Sequence, residues 1–285
     1  MMKANIVKLK DDWRRYKKNR AAVLGFTLVI AFIIVAGLAP ILTPYSPLDI
    51  RVGEPFLPPC RDHPMGTDDL GRDLFSAFVY GARTSLLVGV AAAIASSLIG
   101  ILFGVVAGYK GGKIDDLLMR ITEVFQVVPT FFLCLVLVAL FGASILNVIV
   151  VIAMLSWPGT ARLIRADFIS LKEREFVEAA RALGASDLDI IFSEILPNAM
   201  TSIIVNTSLM VANAILVEAG LSFLGLGDPN VASWGGTLLN AQKFLVWGIW
   251  WMAFFPGVAI SLTALGYNLV GDGLNDLLNP KLREK

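Results

Sequence analysis

Few residues in this chain could do covalent, metal or nucleotide chemistry, and their placement speaks against each. The single histidine, His63, lies in a proline-rich stretch without a second metal ligand at the usual spacing. Cys60 shares that stretch and Cys134 falls in an apolar run, so the two define neither a disulfide framework nor a metal site. The nearest approach to a phosphate-binding loop ends in Gly112-Lys113-Ile114. There Ala107 stands in place of the first glycine and Ile114 in place of the serine or threonine. A serine hydrolase would need His63 to reach a serine buried in an apolar run. Glu218 is the ionisable group nearest the middle of an apolar segment, where such groups mark ion-coupling pathways. It sits at that segment's outer end, which suits a polar helix terminus as well as a gate. No catalytic, cofactor or metal site is expected.

What the chain does carry is a charged, amphipathic island, 162–194, between two apolar runs. It contains Glu178-Ala179-Ala180-Arg181-Ala182-Leu183-Gly184 and closes on Ile195-Leu196-Pro197-Asn198. Phe176, Val177, Ala180, Leu183 and Gly184 fall on one stripe at helical spacing, with Glu173, Glu175, Glu178 and Arg181 elsewhere. Gly184 is placed to end that helix, since glycine takes the left-handed terminal conformation cheaply. Ser186 can cap a second helix with Asp187 and Asp189 in its first turn. Leu188, Ile191 and Ile195 would form the second apolar stripe, and Pro197 predicts a kink or a fresh start. An ordinary solvated loop would show irregular polar residues instead of two amphipathic helices around a glycine hinge. The chemistry on offer is docking.

The rest of the sequence must hold that island at a membrane surface. Of 285 residues, 56% are hydrophobic and only 16% charged, against about 25% charged in soluble domains. Five stretches, 21–48, 84–109, 124–161, 195–217 and 244–271, contain no Asp, Glu, Lys, Arg or His. Each exceeds the roughly 20 residues that span a bilayer. The third is long enough for two helices, with a tight turn at Gly142-Ala143-Ser144 and Asn147. Six spans are therefore predicted, near 21–40, 84–109, 124–141, 145–162, 195–218 and 244–269. The fold class is an all-α polytopic membrane protein.

The net charge of +1 conceals an asymmetry. With the N-terminus inside, 19 of the 24 basic residues fall in inner segments and 5 in outer ones. Basic residues are retained on the cytoplasmic side, so both termini are expected there. Trp13 and Tyr16, among Lys10, Arg14, Arg15, Lys17 and Lys18, read as an anchor at the lipid interface, not a nucleic-acid patch. The first apolar run is too long for a cleaved signal peptide and lacks a small-residue cleavage site, so a retained span is expected.

The largest outer loop, 41–83, is broken by Pro44, Pro47, Pro55, Pro58, Pro59 and Pro64, and a helix is expected to begin near Asp68. Along the second span Gly89, Gly100, Gly104 and Gly108 recur at roughly helical spacing. They permit close helix contact, in service of movement or of static packing alone.

These features together resemble a known family. Glu178-Ala179-Ala180, then Gly184, then Leu196-Pro197, is similar to the signature loop of permease subunits of bacterial ABC importers. Six further stretches support the peptide and nickel branch, and within it the second permease of dipeptide and oligopeptide systems. They are Pro44 to Pro47, His63 to Ser76, Tyr80 to Leu86, Gly108 to Gly112, Leu221 to Gly227 and Gly271 to Lys281. Glu194 departs from the general loop pattern, which has an apolar residue there, and this bears only on docking at that position.

The resemblance implies a type I importer permease fold with a translocation path shared with a paralogous permease. Two ATP-binding subunits would hold the ATP and magnesium, and a periplasmic or lipid-anchored binding protein would deliver substrate. It implies an ATPase-coupling loop within 166–197, carried by Phe176, Glu178, Ala179, Ala180, Leu183, Gly184, Ala185 and Pro197. It also implies an outer gate near Glu218, Leu221, Phe223, Leu224 and Gly225. The expected division is a basic tail 1–20, a first helix 21–40, the outer loop 41–83, a transmembrane domain 84–272 and a tail 273–285. Peptides are the expected substrate, because only Cys134 among the spans suits a nickel path. Nickel, another small solute or a passive channel are the alternatives.

Overall fold

The computed structural model describes Tyr16 and residues 19–278. Trp13, most of the basic tail and the segment from Asn279 onward lie outside the described residues. Among those described, helices form the whole framework. Five are long and apolar enough to cross a bilayer, and a bent helix pair makes a sixth crossing if counted as one span.

The first span, α1 (Arg20–Gly37), is capped by Asn19, whose side chain accepts from the Ala22 amide. The Asn19 carboxamide also donates to Asp276 at 3.0 Å, so the start of the first span and the end of the last share one membrane face. Between them Gly25 lies against Leu269 and the Gly266 carbonyl, with no room for a side chain.

The second helix, α2 (Leu74–Lys110), has 37 residues and is about 55 Å long. It starts ten residues before the predicted 84 and six after Asp68. Asp73 is the cap, accepting from the Ser76 amide at 2.7 Å and its hydroxyl at 2.6 Å. The first turns are covered by the loop that precedes them and by Trp234, so the helix runs on past Arg83. Asp68 instead ties down the turn before the helix through the Leu70 and Arg72 amides and the Arg72 guanidinium.

The third span is not the continuous 124–141 helix expected. An amphipathic helix, α3 (Gly112–Val127), meets a short one, α4 (Thr130–Phe141), at a bend of 79°. Pro129 explains the break, because proline pushes the preceding residue out of the helical region. Val128 is accordingly extended, at φ −95° and ψ 134°. The turn after α4 forms where expected. Gly142 has φ +94°, Ser144 caps α5 (Ile145–Lys172), and the Asn147 carboxamide donates to the Phe141 and Gly142 carbonyls.

Helices α2 and α5 form the most extensive seam. A Cβ built on Gly100, Gly104 or Gly108 would come within 2.5–2.6 Å of Thr160, the Ala161 carbonyl or Phe168 respectively. The glycine stripe is therefore a backbone-contact surface within this chain. After α6 (Glu175–Ala182), the chain re-enters the membrane as one continuous helical segment from Asp187. A π-helical stretch at Ile190–Ile195 leads into α7 (Leu196–Leu221). Pro197 lies inside this continuous segment, two residues past the π-helical stretch, so the irregular turn stands where proline cannot donate a backbone bond. A short helix, α8 (Trp234–Ala241), buries Trp234 completely against Gly81, with the indole donating to the Phe78 carbonyl. The last span, α9 (Trp251–Leu278), begins seven residues later than the predicted 244, after a short 3-10 turn at Leu245–Trp247.

Candidate functional site

The charged island folds as a platform on the end of α5. Val177 of α6 is fully buried among Ile164, Phe168, Ile190, Ile195 and Ala199, with Ala180 and Ala185 packed against the same cluster. Gly184 has φ +87°. Its amide donates to the Arg181 carbonyl and the Ala185 amide to the Ala180 carbonyl, which closes the helix with the paired bonds of a Schellman motif. Ser186 then opens the next turn. Its hydroxyl accepts from the Asp189 amide, while the Asp189 carboxylate accepts from the Ser186 amide and hydroxyl, a full capping box. Two further bonds brace the platform to the end of α2. The Tyr109 hydroxyl donates to Asp187 at 2.6 Å, and the Lys110 ammonium lies 3.4 Å from the same carboxylate.

The predicted apolar stripes divide. Val177 and Ala180 face inward, whereas Leu183 is 89% exposed and Phe176 37%. In the second turn Ile195 is fully buried and Ile191 partly so, but Leu188 is 66% exposed, beside Phe192 at 62%. An eight-residue helix has two apolar edges, and only one can meet its own chain. Leu183, just past the end of α6, and Leu188 and Phe192 in the turns that follow are the large apolar side chains that this platform leaves most exposed. Glu178, Ala179 and Pro197 are exposed around them. Phe192 was missed by sequence reasoning. Its only sequence signal is its place between the buried Ile190 and Ile195, which the π-helical turn shifts out of ordinary helical register.

A second ion pair stiffens this end of the molecule. Arg165 on α5 forks both guanidinium donors onto Asp115 of α3. It ties the amphipathic helix to the span that carries the platform.

At the opposite end the proposed gate residues separate into two groups. Glu218 is buried, and its carboxylate accepts from Ser85 of α2 at 2.9 Å and from Ser222 at 2.7 Å. It therefore fastens α7 to α2. Leu221 is fully buried beneath it. Phe223 and Leu224 are exposed, on a π-helical turn that ends where Gly225 takes φ +86°. A cavity of about 270 Å³ opens between this turn and the outer loop, lined by Asp68, Arg72, Ser222, Asp228 and Ser233 among others.

His63 belongs to the scaffold. It is buried, stacks on Tyr45 and bonds through Nδ1 to the capping carboxylate of Asp73 at 2.9 Å. Among the described residues no group of three His, Cys, Asp or Glu side chains is arranged to hold a metal ion.

The family profile described as "binding-protein-dependent transport system inner membrane component" matches residues 100–284. A second, for the N-terminal transmembrane domain of oligopeptide transport permease C, matches residues 9–59. The chain is 44% identical over 275 residues to the dipeptide transport system permease protein DppC of Bacillus subtilis, covering 96% of this chain and 86% of that protein. It is 38% identical to the oligopeptide transport system permease protein OppC of the same organism, covering 96% and 90%. With the dipeptide permease of Alkalihalophilus pseudofirmus it shares 40% identity, again over 96% and 90%. This polytopic chain belongs to the family of binding-protein-dependent transport system inner membrane components.

Proposed function

We propose that the chain is one of two paralogous permeases of an ATP-driven importer in a bacterial inner membrane, and that the cargo is a dipeptide or oligopeptide. The observation that carries this reading is the outward patch of Leu183, Leu188 and Phe192 on a base fixed by Val177, Ile190 and Ile195. An apolar surface on a braced cytoplasmic platform suits transmission of force from a soluble partner, and an ATPase subunit is the partner proposed. ATP and magnesium would be held by two such subunits, this chain having no phosphate-binding loop of its own. The peptide cargo is supported by relatives whose names specify dipeptide and oligopeptide transport.

In this reading closure of the motor subunits pushes the platform, and α5 and α7 carry the displacement into the membrane. The braces from Tyr109, Lys110 and Asp115 make α2 and α3 move with them. The Glu218 cluster and the Phe223–Gly225 turn would open and close the outer end, beneath a binding protein that delivers the peptide.

The orientation gives the reading a direct test. With both termini cytoplasmic, Ser46 lies outside and Ser186 inside. In intact cells expressing variants without Cys60 and Cys134, a membrane-impermeant maleimide is expected to label S46C and to spare S186C until the membrane is opened. Labelling of S186C alone would invert the protein and remove the platform from the reach of any cytoplasmic ATPase.

A further inference from the structure

The helix faces that this chain leaves open are mostly apolar. On α1 they present Leu24, Ile30 and Ile33, and on α2 Leu87, Leu98 and Leu102. One open face differs. Asn213 on α7 and Asn268 on α9 are both exposed, within apolar spans, and neither carboxamide makes a hydrogen bond among the described residues.

The packing of the two helices places these residues together. α7 and α9 run antiparallel, and Leu209 lies against Gly271. Asn213 is four residues outward of Leu209 and Asn268 three residues outward of Gly271, so at about 1.5 Å per residue the two lie within about 2 Å of the same depth. At 100° per residue, Asn213 stands about 40° and Asn268 about 60° from the contact line, and both rotations lead to the same side. Asn206, about two turns inward of Asn213 on α7, donates to Thr160 of α5 at 2.8 Å, and its carbonyl oxygen bonds none of the described residues. Ser261 continues the polar row on α9, in an open groove beside Gly257.

Within an apolar span an unbonded carboxamide is costly against hydrocarbon and is expected to face a water-filled cavity or another protein. A carboxamide is also a peptide group in miniature, with one acceptor and a pair of donors. We infer that Asn213 and Asn268, with Asn206 below them, line the translocation path and hydrogen-bond the backbone amides of the passing peptide. This inference rests on the peptide-importer reading above. Side-chain-blind passage follows from it, because the bonds go to groups that every peptide shares.

The test uses the assembled importer, with its second permease, ATPases and binding protein, in liposomes. N213C and N268C, in a background lacking Cys60 and Cys134, are exposed to a charged methanethiosulfonate, with L98C, on an open aliphatic stretch of α2, as the control. Both positions should react, at rates that differ about tenfold or more between the nucleotide-free and the vanadate-trapped complex, as a path that opens to alternate sides requires. Reaction no faster than at L98C in either state would assign the face to lipid. Protection in both states, with N213L releasing the second permease, would assign it to a static subunit contact. Either result overturns the inference.

A second arm measures uptake of a labelled dipeptide. Loss of the hydrogen bonds in N213L and N268L should lower it about tenfold while the complex stays assembled. N213Q should keep most of it. Unchanged uptake in both leucine variants contradicts the role given to these residues. The labelling arm does not depend on the cargo. A path for some other solute would pass that arm and fail peptide uptake already with the unmodified chain.

Discussion

Replacing Gly184 with valine is expected to uncouple the importer without unfolding its membrane part. At φ +87° the residue sits where L side chains are strained, and a Cβ there meets no other atom of the chain. The cost is therefore conformational, about 1–2 kcal/mol for a non-glycine residue in the left-handed region. That corresponds to roughly a tenfold loss of the docking-ready loop. A β-branched residue suffers more than alanine, while asparagine enters this region readily. Binding-protein-stimulated ATP turnover in reconstituted complexes should fall in the order glycine, Gly184→Asn, Gly184→Ala, Gly184→Val. The valine variant should also lose ATPase subunits on purification, yet keep the second permease. A valine variant with unmodified turnover and a full complement of ATPases would show that this turn is not where force enters.

A large effect on folding is expected at Gly104. Its Cβ would lie 2.6 Å from the Ala161 carbonyl and 2.8 Å from the Ile164 Cβ. Neither is the movable end of a side chain, so the two helices must part. Overpacking a tight core costs about 1–3 kcal/mol even where neighbours can adjust. Without a hydrophobic force between helices in lipid, close packing supplies most of the attraction that would be lost. Gly104→Ala should reduce the yield of monodisperse protein on fluorescence-detected size exclusion, and Gly104→Leu should abolish it. Gly37→Ala is the matched control, since nothing lies within 4 Å of the added Cβ. Equal yields from Gly104→Leu and Gly37→Ala would refute a static α2–α5 seam.

These two glycines also mark what was legible in the sequence. Gly184 and Ser186 could be assigned in advance because their task is local. A helix end needs a residue tolerant of positive φ and then a hydroxyl for the next cap, and neighbouring residues supply both signals. The spacing of Gly100, Gly104 and Gly108 was equally plain, but its meaning depended on which helix lay opposite, and only the fold places Thr160, Ala161 and Phe168 there. The same limit applies to the coupling stripe. Val177 and Leu183 are both apolar on one short helix, and the sequence does not say which of them the chain covers for itself.

Two boundary errors have physical causes. The apolar run 84–109 ends at Arg83 and a helix is expected to begin near Asp68, whereas α2 starts at Leu74, because Asp68 is spent on the preceding turn and Asp73 supplies the cap. At Val128-Pro129 the uninterrupted apolar run outweighed the proline, although proline's effect on its preceding residue was the truer signal. Asn213 and Asn268 stood in apolar segments as unremarkable polar residues, and their significance arises only from sharing one face at one depth.

The central claim, that this chain is the passive half of an ATP-driven peptide importer, is tested most directly in liposomes holding the chain with its second permease, ATPases and binding protein. Accumulation of a labelled dipeptide against its gradient is followed as each component is withheld. Accumulation is expected only with the binding protein and ATP both present, and the purified chain alone should neither bind a fluorescent ATP analogue nor pass the dipeptide. Selective dipeptide flux through the chain by itself, or nucleotide binding to it, would contradict the account.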